Sequence, residues 1–251
     1  MASKTPRTRL SIAMLAVLAS ASMLQPVAAG DTATLNILGF SADGGIFAFE
    51  EYGVQDGSGF PYANRFYIDT ASDTFTGGAP FRVRLEDEMA TVDDARAQAK
   101  SAVEAIITDS ILAANRGTTA GFNPVSELSA DPFRMVVNPR QVVPPIDTKL
   151  EVRLEEKQFA ASGSCMGIAD TVVGFRLLKI ATEPGETTQL LADDQAVPSS
   201  RNCPLGYSIG AIQTFFPQGG DPVFATLLAI ESFGFEGPDF RWMAVTAPMN
   251  P

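Results

Sequence analysis

The sequence predicts a mainly β protein of the α+β class: two antiparallel, blade-like sheets with one long amphipathic helix between them. Three observations carry this expectation. Short runs rich in Val, Ile, Phe and Tyr recur in both halves of the chain, punctuated by glycine turns. One central segment switches to a helical period. A hairpin near the start of the chain is echoed by the last hairpin.

The chain opens on an export signal. Lys4, Arg7 and Arg9 give a basic start, residues 10–24 an apolar stretch, and Val27-Ala28-Ala29 places small residues at the usual cleavage spacing. The apolar stretch is shorter than the roughly 20 residues a spanning helix needs. A cleaved signal peptide over residues 1–29 is expected, with a secreted or periplasmic product that is not inserted in the membrane after cleavage.

Residues 30–117 read as a β-meander followed by the helix. Strands are expected at 34–40, 46–52, 65–70 and 81–85, and Ser41-Ala42-Asp43-Gly44-Gly45 marks the first turn. Over residues 91–116, Val92, Ala95, Ala99, Val103, Ile106, Ile107 and Ile111 recur at helical steps. Asp93, Arg96, Lys100 and Glu104 fall between them. Thr91 suits the N-cap and Gly117 the stop, so a single helix is predicted with its apolar stripe toward the core.

Residues 118–147 carry Pro124, Pro132, Pro139, Pro144 and Pro145 with little periodicity, which predicts an irregular crossover without regular elements. Residues 148–251 return to β, with strands expected at 150–157, 172–180, 207–216, 224–233 and 240–245. This C-terminal sheet is expected to pack with the N-terminal part as one domain.

The echo between the two ends is residue by residue. Ala48-Phe49-Glu50-Glu51-Tyr52-Gly53 matches Ala229-Ile230-Glu231-Ser232-Phe233-Gly234. The returning strand Arg65-Phe66-Tyr67-Ile68-Asp69-Thr70 matches Arg241-Trp242-Met243-Ala244-Val245-Thr246. An internal hairpin repeat relating the two sheets is the expectation.

Two resemblances rest on these stretches. Phe40-Ser41-Ala42-Asp43-Gly44-Gly45-Ile46-Phe47-Ala48-Phe49 resembles the blade signature of WD40-like and TolB-type propellers, and it occurs once, too few for a closed ring. That same Phe-Ser-x-Asp-Gly start, Phe49-Glu50-Glu51-Tyr52-Gly53, and the stretch from Ser232 to Asp239 resemble a family of bacterial predicted secreted proteins, domain of unknown function 2259. The resemblance implies export and a shared fold. It implies no activity, cofactor or catalytic residue.

Composition narrows the chemistry. There is no histidine, which removes Ser-His and Cys-His nucleophiles and every His-ligated metal. A net charge of −11 makes nucleic acid an unfavourable partner. No Gly-x-Ser-x-Gly, Ser-x-x-Lys or phosphate-binding glycine loop occurs.

Cys165 and Cys203, the only cysteines, are expected to form a disulfide in an oxidising compartment; a reactive thiol is the alternative. Paired carboxylates are the one open catalytic route. Glu50 and Glu231 occupy matching repeat positions and could serve a carboxylate-dependent hydrolase. Alternatively each forms a cross-strand ion pair, with Arg65 and Arg241. Asp56-Gly57-Ser58 is either a calcium-binding loop or a solvated turn, and Phe60-Pro61-Tyr62 either a binding tip or packing onto the sheet.

The expected function is a non-enzymatic binding or interaction module on a β scaffold, taking a protein or small-molecule ligand, with no catalytic residue, metal or cofactor assigned.

Overall fold

The computed structural model describes residues 30–87 and 89–249; the expected signal over 1–29 lies outside them. Three antiparallel sheets, not two, make up the β structure of the described residues. The first contains β1 (Thr34–Phe40), β2 (Ile46–Val54), β3 (Pro61–Asp69), β4 (Thr74–Phe75) and β5 (Phe81–Arg84). Its order is β1-β2-β3-β4, with β5 pairing the other end of β3.

Where one helix was expected there are two, α1 (Val92–Ser101) and α2 (Asp109–Ala114). The start is as predicted: Thr91 caps α1 in a reciprocal box with Asp94. Ala95 and Ala99 then lie fully buried with Ala63. Beyond Ser101 the chain turns, because packing overrides periodicity. Val103, Ile106 and Ile107 are drawn into a cluster with Ala48, Tyr67 and Leu112. The β-branched run Ile106-Ile107-Thr108 resists the helix, and Thr108 opens α2.

The proline-rich segment is also corrected. It holds β6 (Thr118–Phe122) and β7 (Arg134–Val137). Pro124, Pro132 and Pro139 stand just outside these strands, where they bound pairing without removing a ladder hydrogen bond. Then follow β8 (Leu150–Ala160), β9 (Thr171–Ile180), β10 (Gln189–Asp193), β11 (Pro204–Phe215), β12 (Val223–Ser232) and β13 (Asp239–Pro248). They form a middle sheet ordered β13-β12-β11-β6 and an outer sheet ordered β10-β9-β8-β7.

The middle sheet is buried on both faces. On β12, Val223, Ala225, Leu227 and Ala229 pack with Phe47, Phe49 and Phe66 of the first sheet. The alternate residues Phe224, Leu228 and Ile230 pack with Val152, Phe175 and Leu177 of the outer sheet. This explains why β12 reads as an unbroken apolar run, whereas β8, with one face in water, alternates. The layers therefore run helices, first sheet, middle sheet, outer sheet.

The pairing of the two hairpins does not bear out the expected repeat. On the first hairpin Glu50 stands directly opposite Arg65. On the last, Glu231 stands opposite Phe240, and Arg241 opposite Ile230. A shift of one residue sends matched side chains to opposite faces, so the expected Glu231–Arg241 pair is absent and Arg241 pairs with Asp31 at 2.6 Å.

Candidate functional site

The two carboxylates singled out by the sequence sit in separate environments. Glu50 is fully buried on the helix-covered face of the first sheet, 3.5 Å from Arg65 Nε and 3.0 Å from Arg96. Asn36 also donates to it, at 3.1 Å. Arg65 in turn makes a two-pronged contact with Asp109 at 2.7 and 3.1 Å. Burial works against the Arg65 charge, but the Asp109 hydrogen bonds and Glu50 hold its pKa above the ordinary arginine value. Glu231 belongs to the middle sheet, where its carboxylate and that of Glu156 both lie beside Gly206. Among the described residues Glu50 is held by Arg65, Arg96 and Asn36, none of which bonds Glu231.

The other sequence candidates take structural places. Cys165 and Cys203 form a disulfide with a Cα separation of 5.5 Å. It links the turn between β8 and β9 to the residue preceding β11, and so ties the outer sheet to the middle one. Asp56 accepts backbone N–H groups from Phe235 and Glu236, bridging two loops. No cluster of three or more metal-ligating side chains occurs among the described residues. Pro61 and Tyr62 open β3, with Tyr62 buried beneath the Arg241 guanidinium.

The concave feature with converging polar groups lies where the first sheet meets β13, the edge strand of the middle sheet. It is a cleft of about 640 Å³. One wall is β3 to β5, with Asn64, Phe66, Ile68 and Arg82; the other is β13 with Arg241 to Ala244. The turn containing Ser200, Arg201 and Asn202 closes a side. That turn is rigid: Arg201 bonds Asp194 at 2.6 Å and lies over the Phe175 and Tyr207 rings, and the next residue is the disulfide-bonded Cys203.

An exposed strand edge presents unpaired backbone groups, and here the first sheet and the start of the described chain fill most of them. Phe240 N–H donates to the Asp31 carbonyl and Ala33 N–H to the Phe240 carbonyl. Trp242 N–H donates to Glu51 Oε2 at 2.7 Å. Thr246 donates to Asp73 Oδ1 through its N–H at 2.7 Å and its hydroxyl at 2.9 Å. Residues 240, 242, 244 and 246 share one parity on an unbroken ladder with β12, so the Ala244 N–H and carbonyl point the same way, into the cleft. They have no partner among the described residues.

The electrostatics follow from burial. Glu51 is 3% exposed, and burial raises its pKa despite hydrogen bonds from Trp242 and Asn64. Asp73 and Asp31 are raised for the same first reason. Arg82 faces Asn64 across the β3–β5 ladder and makes no ion pair among the described residues. A second hollow, of about 410 Å³, is lined by Arg140, Asp147, Lys179 and Met249. There Arg140 is held by Asp147 and the Phe216 ring, and Lys179 by the Met249 carbonyl, while Lys149 and Glu186 complete the charged lining.

Sequence reading missed Glu51, Asp73, Arg82 and Ala244. The doubled Glu50-Glu51 was the available signal, since adjacent strand residues face opposite ways and one of the two had to enter the interior between sheets. Trp242, the single tryptophan, was noticed only as a repeat position.

Residues 48–247 match the family described as Predicted secreted protein (DUF2259). No curated protein and no solved structure matches the chain. No helix of the described residues is long and apolar enough to cross a membrane.

Proposed function

Since the chain belongs to the DUF2259 family of predicted secreted proteins, we propose that it is an exported, non-enzymatic binding module whose ligand enters the cleft beside β13. The observation that carries this reading is the cleft's mixture of satisfied and open groups. Glu51, Asp31 and Arg241 are committed to holding strands in place. Arg82, the second oxygen of Asp73 and the Ala244 backbone are not. A pocket of several hundred Å³ with apolar walls and a few free polar groups is the usual form of a ligand site.

The same groups offer little for catalysis. Neither an oriented nucleophile with its base nor a pair of facing carboxylates lines the cleft. Export, a disulfide and a rigid stack of sheets all suit a receptor or adaptor working outside the cytoplasm.

Trp242 lines the cleft and is the only tryptophan, so its fluorescence reports on occupancy. Titrating the purified mature chain with a small-molecule fragment library should yield ligands that shift Trp242 emission. Ser200→Phe, which narrows the cleft from the turn side, should abolish those shifts. Ligands that bind Ser200→Phe as well as the wild type would place binding elsewhere.

A further inference from the structure

The open groups of the cleft are ordered along β13. Asn64 stands opposite both Glu51 and Arg82 on its two ladders, and Glu51 holds Trp242. Arg82 is therefore level with Trp242. Asp73 is level with Thr246, which it bonds, and Ala244 lies between. At ~3.4 Å per residue, the span from Trp242 to Thr246 is about 14 Å. Arg82 thus marks one end, beside a Glu51 carboxylate whose oxygens are taken by Trp242 and Asn64; Asp73 marks the other end, and an unpaired backbone amide the middle.

We propose that this slot binds a short peptide of about three residues with free amino and carboxyl ends, extended antiparallel to β13. The proposal rests on the cleft being the binding site. The peptide's carboxylate meets Arg82, its ammonium group meets the free oxygen of Asp73, and a central residue exchanges backbone hydrogen bonds with Ala244. Phe66, Ile68 and Met243 offer apolar surface to its side chains.

Two features of the same edge support a peptide over other zwitterions. The edge already accepts an extended segment, since Thr32 forms a bridge with Phe240. It also sets an upper length, because Glu51 and Asp73 occupy the edge on either side of Ala244 and would block a longer strand.

The test is a titration followed by Trp242 fluorescence and the Ala244 amide resonance, using a tripeptide library with free ends. Matched libraries would be N-acetylated or C-amidated. Free tripeptides should bind, and each capping should weaken binding at least about tenfold, the loss of one charge-assisted contact of ~1.4 kcal/mol or more. Arg82→Gln should erase the preference for the free carboxylate, and Asp73→Asn the preference for the free amine. Ala244→Pro removes an N–H that points away from β12, which an edge strand tolerates, and should abolish binding. If that variant does not fold, the Arg82→Gln and capping results decide alone.

Equal binding of free and capped tripeptides, or wild-type binding by folded Ala244→Pro, overturns the proposal. If fragments shift Trp242 in a Ser200-sensitive way while no tripeptide does, the peptide assignment falls and the cleft remains the binding site. If nothing shifts Trp242, both fall.

Discussion

The Glu51 carboxylate, on the first sheet, accepts the backbone N–H of Trp242 on the middle sheet, 191 positions away in sequence. A side chain here does the work of a neighbouring strand. Replacing Glu51 by Ala would leave that buried N–H without an acceptor. Urea unfolding should show a loss of about 1–3 kcal/mol, and a smaller loss for Glu51→Gln, whose amide oxygen can still accept.

Stability should also depend on pH through Glu51 with a defined sign. Burial holds its folded pKa above the ordinary 4.5. An acid raised in this way contributes stability below its unfolded pKa and loses it as pH rises through the folded one. Asp31 and Asp73 act in the same direction. Relative to Glu51→Gln, the wild-type urea midpoint should therefore fall as pH increases from about 4.5, then level off. A midpoint difference that rises over that window would contradict the assignment.

The Glu50–Arg65 pair makes a different prediction. Neither Glu50 Oε1 nor Arg65 Nε has a hydrogen-bond partner, yet they lie 3.5 Å apart with almost no solvent access. Removing Glu50 takes the counter-charge from the buried Arg65 Nε while Asp109 still holds the other two nitrogens, so Glu50→Ala should cost about 1–3 kcal/mol. The double change Glu50→Met with Arg65→Met should recover much of that loss, since Arg96 and Asp109 are partly exposed and can be solvated. Chemical denaturation of the three variants measures it.

Breaking the crosslink should destabilise the protein and loosen the cleft together. For a loop spanning 38 positions, chain entropy assigns the disulfide about 4 kcal/mol. Cys165→Ser with Cys203→Ser should lower the melting temperature. It should also weaken binding of any cleft ligand, because the Ser200–Asn202 wall adjoins Cys203. Unchanged affinity in the folded double variant would separate the wall from the crosslink.

The Gly210 backbone lies directly against the Trp242 ring. A Cβ there would lie 2.2 Å from the indole, so Gly210→Ala must displace the ring. A loss of about 1–3 kcal/mol is expected, with a shift in Trp242 emission that reports the movement directly.

Nine of the thirteen strands of the described residues were legible because glycine turns bracket apolar runs at both ends of the chain; β4 and β10 were not read. β6 and β7 were hidden by their prolines, which punctuate strands as readily as they forbid them. The helix break was hidden because 103–107 keep helical spacing while their burial partners, Ala48 and Tyr67, are distant in sequence. Cys165 and Cys203 were read from their count, the compartment and the turn-like residues around them. Beyond the doubled Glu50-Glu51, the cleft was not legible: Asp73 and Ala244 acquire meaning only when β13 becomes an edge strand, and strand order is a long-range property.

The docking of residues 31–33 along Phe240 has a consequence for the order of assembly. Asp31 reaches Asp239 across 208 positions, and Gly30 lies so close to Pro238 that a Cβ would sit 1.9 Å from its carbonyl oxygen. The earliest described residues thus find their seat only in the last strand. A growing chain that has not yet supplied β13 leaves residues 31–33 without their strand partner, Glu51 without the Trp242 N–H and the Tyr62 ring without the Arg241 guanidinium, so the fold cannot be closed piecemeal from its front.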